Sequence, residues 1–219
     1  MMSIMSSKLI TKSITAMLLW TCLSCNFNSK PLPILGEPEI VQKVVDGKTI
    51  EEKVYPTIPE FAFRSQYGDT ITSKNFKDKI YVADFFFVTC PTICPVMKKN
   101  MLKVYEAFKD DPRVGILSHT IDPDHDSVQV LKTYADDLGL KGRTWLFVTG
   151  NREKIYEIGE KHYLVTAQAD DQAPGGYIHS GAFVLIDKNK HIRGMYDGTE
   201  EKEVQLMIRD MKTLLEESK

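Results

Sequence analysis

Apolar and polar positions change rhythm several times along this chain. Residues 80–88 (IYVADFFFV) form a nearly continuous apolar run, the pattern of a strand buried on both faces. Behind it, Met97, Met101, Val104 and Phe108 recur at helical spacing and predict a helix over 96–108. Residues 114–121 read as a second strand. Asp126 or Ser127 can cap a helix that runs to Leu138 and stops at Gly139. A short strand over 145–148 and a helix over 152–163 follow. Two adjacent strands, 182–186 and 191–196, turn at 187–190. A last helix, about 200–215, alternates Val204, Met207, Ile208, Met211 and Leu215 with charged residues.

Ahead of this region, 40–45 and 49–54 flank Asp46-Gly47, the strongest short hairpin signal. A second small hairpin joins 61–64 to 70–72. Strand–helix alternation that closes on a hairpin and a helix predicts an α/β fold: a central mixed sheet flanked by helices, with an N-terminal β-hairpin extension.

Residues 1–24 stand outside that pattern. Lys8 and Lys12 supply a positive start, and 14–20 (ITAMLLW) form a short apolar stretch. A transmembrane helix needs about 20 apolar residues, so this stretch fits the core of an export signal. It ends in Cys22-Leu23-Ser24-Cys25, which resembles a bacterial lipoprotein signal, where a small residue precedes the lipidated cysteine. Ser24 before Cys25 suits that rule better than Thr21 before Cys22. Cys22 stands where leucine is more usual, and an uncleaved signal anchor is the competing reading. Both place the mature protein outside the cytoplasm and tethered to a membrane. The expectation is a lipoprotein anchored at Cys25 in a bacterial cell envelope, facing the periplasm. Residues 25–38, with three of the ten prolines, read as a linker, which leaves 39–219 as one domain.

Composition narrows the function. Of 219 residues, 42% are hydrophobic and 26% charged, a globular balance that excludes a disordered chain. Lys+Arg 28 against Asp+Glu 30 gives a net charge of -2, without the basic excess that nucleic-acid binding needs.

Four cysteines form two close pairs. Cys22 and Cys25 mimic a redox motif, but Cys22 leaves with the signal and Cys25 is expected to be acylated, so neither thiol does chemistry in the mature protein. The working pair is Cys90 and Cys94, between the apolar strand and the first helix. Free N–H groups and the dipole at a helix start stabilise thiolate over thiol. Thiolates are the nucleophiles of disulfide exchange and soft ligands for Cu(I) or Zn(II). Four residues apart on a helical turn, their Cα atoms stand about 6 Å apart. That separation allows a disulfide, at about 4.4–6.8 Å, or a grip on one metal ion.

A third ligand can come from five histidines. His162 and His191 read as surface residues. His119 ends a strand and His125 lies in the next loop. His179 is delivered by 174–178 (PGGYI) directly into a strand, and spacing ranks it modestly above His119. Met97, Met101 and Met195 read as core residues, and Phe85, Phe86 and Phe87 as a buried strand. Asp84, six residues before Cys90, reads either as a buried proton relay or as a polar residue at a strand kink.

Cys90-Pro91-Thr92-Ile93-Cys94-Pro95 after a hydrophobic strand resembles the Sco/SenC family. Ile121-Asp122-Pro123-Asp124-His125-Asp126-Ser127 and His179-Ser180 are similar to its two further motifs, and the likeness runs over about 55–215. The resemblance implies a thioredoxin-like fold and copper handling in maturing the Cu-A centre of cytochrome c oxidase. It makes Cys90 and Cys94 thiolate ligands and His179 the imidazole ligand of copper, as Cu(I) and also Cu(II). It makes Asp122 and Asp126 an acidic pair beside the site. Many members carry an acidic residue between the cysteines, where this chain has Thr92. The implied partners are the oxidase subunit carrying Cu-A, and a copper donor protein or a thiol reductase.

The competing class is a membrane-tethered thiol–disulfide oxidoreductase without metal. The offset of Asp84 resembles that of thioredoxins and favours it. Three residues between the cysteines instead of two, and Ser180-Gly181 where thioredoxins place a proline, argue against it. The peroxiredoxin pattern is absent.

Overall fold

The computed structural model describes residues 31–170 and 172–217. The export signal and Cys25 lie outside the described residues. Among those described, no helix is long and apolar enough to cross a membrane.

A freestanding hairpin comes first: β1 (Glu39–Val45) pairs antiparallel with β2 (Lys48–Val54). Its turn uses Asp46 and Gly47, both at positive φ (52° and 76°), the geometry that matches strand twist in a two-residue hairpin. A second hairpin, β3 (Ala62–Ser65) and β4 (Thr70–Thr72), forms one edge of the main sheet. The centre is β5 (Ile80–Phe86), β6 (Val114–Thr120) and β7 (Trp145–Thr149), all parallel. The far edge is the antiparallel pair β10 (Ala182–Ile186) and β11 (Ile192–Asp197). The order across the seven strands is β11-β10-β5-β6-β7-β3-β4.

Every residue of β5 and β6 is buried, as the unbroken apolar run requires. Strand alternation divides the aromatic core into two layers. On one face Phe86 packs on Tyr134 and Phe147, next to Trp145 and Tyr105. That layer is covered by α1 (Cys94–Phe108) and α2 (Val128–Asp137), which carry Tyr105 and Tyr134. On the other face Phe85 stacks on His119 and meets Tyr163 edge-on. Tyr163 follows α3 (Arg152–Glu157) and one π turn over Ile158–His162, where a single regular helix was expected. The C-terminal α4 (Glu201–Glu217) packs on α1, β5 and β11.

Of the two candidate caps, Ser127 takes α2: its Oγ accepts from the Val130 N–H at 3.3 Å. Asp126 instead accepts from the Val88 N–H and the Thr120 hydroxyl, tying the end of β5 to the end of β6. The approach to His179 carries a strand of its own: β8 (Ala167–Ala169) pairs with β9 (Tyr177–His179) in a separate two-stranded sheet.

Candidate metal centre

Strand β5 ends at Phe86, and the chain turns through Cys90, whose N–H bonds the Phe87 carbonyl at 3.2 Å. Cys94 is the first residue of α1, which begins two residues before the predicted start because Pro95 is tolerated in a first helical turn. Cys90 lies outside the helix, so the pair is set by the turn rather than by a shared helical face. Both cysteines are buried and free.

The hairpin of β8 and β9 brings His179 to them from 85 residues beyond Cys94 in sequence. Its Nε2 lies 3.2 Å from Cys94 Sγ and 3.7 Å from Cys90 Sγ. The three donor atoms all fall within 4.8 Å of one another. Metal–sulfur and metal–nitrogen bonds of about 2.3 and 2.0 Å put three donors around one ion roughly 3.5–4 Å apart. The donor set therefore fits a single soft ion. His179 is also in the right tautomer to serve: its Nδ1 is 3.3 Å from the Ser180 carbonyl, which can only accept. The proton sits on Nδ1, and the Nε2 lone pair faces the sulfurs. Burial lowers the pKa of His179 and keeps the ring neutral.

The thiols are unequal. Burial alone would raise Cys90, but the backbone N–H groups of Thr92 and Cys94 outweigh it and bring its pKa below the ordinary thiol value. The Thr92 hydroxyl adds a contact at 3.6 Å from Cys90 Sγ. Burial pushes Cys94 strongly up, and the charges of Cys90 and Asp84 add to this. Asp84 is buried on the Cys94 side of the site. Its carboxyl accepts from Ser118 Oγ, which in turn accepts from Trp145 Nε1 at 2.8 Å. Burial lifts it to about 7, against the pull of that hydroxyl. Asp84 and Cys94 line the same water-sized void under α1.

Other candidates fall elsewhere. His119 is fully buried in the opposite layer, between Phe85 and the edges of Phe61 and Phe63, and burial drives it down to about 3. Met97 and Met101 are core residues, and Met195 is half-exposed on β11. Asp122 and Asp126 are buried near the centre without joining the three-donor cluster. Asp122 accepts from the Tyr177 hydroxyl at 2.6 Å and is paired with His125 Nδ1 at 2.9 Å. Sequence reasoning missed Tyr177 and Phe87. The Phe87 ring meets His179 edge-on at 5.8 Å and Tyr177 at 5.1 Å. Strand alternation puts Tyr177 on the face of His179 once β9 is known, but three residues of strand give no local signal of their own.

The SCO1/SenC family profile matches residues 50–216. The chain belongs to the SCO1/SenC family. Among solved structures, a SCO1/SenC family lipoprotein from Bacillus anthracis is 31% identical, with 73% of this chain and 95% of that one covered and a TM-score of 0.64. BsSco, a member of the Sco family of cytochrome c oxidase assembly proteins in which a disulfide switch has been identified, is 28% identical, over 73% and 93% of the two chains, at 0.64. Yeast Sco1 with copper bound is 27% identical, over 72% and 90%, at 0.55. The fold of this family member is thioredoxin-like, as the resemblance of its motifs implies.

Proposed function

We propose that this protein binds one copper ion through Cys90, Cys94 and His179 and serves in building the Cu-A site of cytochrome c oxidase, either by delivering copper or by reducing the thiols that will hold it. The observation that carries this reading is the convergence of two sulfurs and one correctly oriented imidazole nitrogen within 4.8 Å. Copper in the yeast relative and the assembly role of BsSco support it. Two thiolates and an imidazole suit Cu(I), and the mixed set also accommodates Cu(II). Loss of two electrons and two protons to an acceptor joins the thiols as a disulfide and withdraws both sulfur ligands, so redox state can gate loading. The description of the Bacillus anthracis relative as a lipoprotein supports anchoring through Cys25 in a bacterial envelope. The partners in this reading are the oxidase subunit carrying Cu-A, and a copper donor or thiol reductase.

A second reading, a thiol–disulfide oxidoreductase without metal, draws on the inequality of the thiols and on Asp84 beside Cys94. One experiment separates them. Copper per chain is measured in the reduced protein and in Cys90→Ser, Cys94→Ser and His179→Ala. The metal reading expects one copper in the parent, little in either serine variant, and weakened retention in His179→Ala. Equal, tight binding in all four would sink it. Brisk reduction of insulin disulfides without copper would favour the second reading.

A further inference from the structure

We infer that Tyr177 is a positioning residue that holds the histidine arm over the thiols by tethering it to Asp122; the inference rests on His179 being the nitrogen ligand. The arm is a hairpin of two three-residue strands, separate from the seven-stranded sheet. Isolated two-stranded hairpins are marginal in water, so something must fix its orientation. At its base, Ala167 is buried opposite His179, and the Ser180 N–H bonds the Thr166 carbonyl at 2.9 Å. At the other end, Gln172, Pro174 and Gly175 are exposed.

Tyr177 secures that end. Its hydroxyl donates to Asp122 Oδ1 at 2.6 Å, across 55 residues of sequence. Its ring packs on Phe87, 5.1 Å between centroids. Asp122 is itself fixed, with a side chain only 5% exposed and a backbone N–H that bonds the Thr120 hydroxyl at 3.0 Å. Successive residues of a strand face opposite ways, and alternate residues share a face. A tether on Tyr177 therefore selects the face that His179 presents, while Ile178 between them points outward and is 37% exposed. The turn leading into β9 also lies close to Phe87: a Cβ added at Gly175, at φ +83°, would stand 2.9 Å from that ring. Without the hydroxyl the arm keeps its packing on Phe87 but loses the polar contact that ties Tyr177 to the body of the protein. The acid that the family motif places beside the site thereby gains a role here, as the seat of the tether.

The test is Tyr177→Phe, which keeps the ring and removes the donor, alongside His179→Ala and the double variant, all as full chains. In reduced, metal-free protein, amides of residues 167–179 should exchange with deuterium about tenfold faster in Tyr177→Phe, with exchange in β5 unchanged. With Cu(II) loaded, nitrogen hyperfine coupling should weaken in Tyr177→Phe and vanish in His179→Ala. The double variant should lose no more copper affinity than His179→Ala alone. Unchanged exchange in Tyr177→Phe, or fully additive losses in the double variant, would overturn the tether while leaving the ligand assignment standing. An unchanged nitrogen signal in His179→Ala would instead remove the ligand, and with it what the tether positions.

Discussion

Cys90 and Cys94 sit four positions apart and meet the same imidazole, yet they hold their protons very differently. The sulfur of Cys90 faces the N–H groups of Thr92 and Cys94 and the Thr92 hydroxyl, all of which favour a negative charge. Cys94 is the first residue of α1 and lines the same void as Asp84, and burial holds it towards its protonated form. Thr92 matters to this asymmetry. A carboxylate at that position would repel the Cys90 thiolate, whereas a hydroxyl supports it. In reduced, metal-free protein at pH 7, limiting iodoacetamide should therefore label Cys90 well ahead of Cys94, as read by peptide mass mapping. Equal labelling would contradict the assignment of the two environments.

At the scale of elements, burial left a legible trace and long-range tethers did not. The run 80–88 announced β5 because a strand covered on both faces must be apolar throughout. The Asp-Gly turn of the first hairpin was equally plain, since few residues accept positive φ twice in succession. Cys90, Cys94 and His179 were legible by donor chemistry, position at the end of β5 and motif. The strands β8 and β9 left no such trace: three residues each, Ala-Gln-Ala against Tyr-Ile-His, carry no readable period. Their order comes from contacts such as Tyr177 to Asp122, which no local window contains. The choice between Asp126 and Ser127 as the cap stayed open in the sequence for a related reason: Ser127 takes the cap because the buried Asp126 carboxyl accepts from the distant Val88 N–H and from the Thr120 hydroxyl.

Across the whole molecule, two buried ionisable groups lie on opposite faces of the sheet and pull stability in opposite directions with pH. His119 has its pKa depressed by burial from 6.5 to about 3. Its contribution is complete above pH 6.5 and is lost as pH falls towards 3, because the unfolded chain takes up the proton first. Asp84 is raised by burial from 3.8 to about 7, so its contribution is complete below pH 3.8 and is lost as pH rises towards 7. Between about pH 4 and 6.5 the two slopes, each approaching about 1.4 kcal/mol per pH unit, oppose one another. Urea unfolding of His119→Leu across this range should expose the Asp84 slope, with stability relative to the parent falling as pH rises. Parallel curves for parent and variant would show that His119 titrates normally. Both groups bear on function through the scaffold, since the layers they occupy hold β5 and α1, and the thiols sit where those two elements meet. The claim on which all else depends is that two sulfurs and the His179 nitrogen hold one copper ion. X-ray absorption of the reduced, copper-loaded protein tests it most directly: the expected shell is two sulfurs at about 2.2–2.3 Å and one nitrogen at about 2.0 Å, with the nitrogen lost in His179→Ala; a sulfur-only shell, or a spectrum unaltered by that substitution, would contradict it.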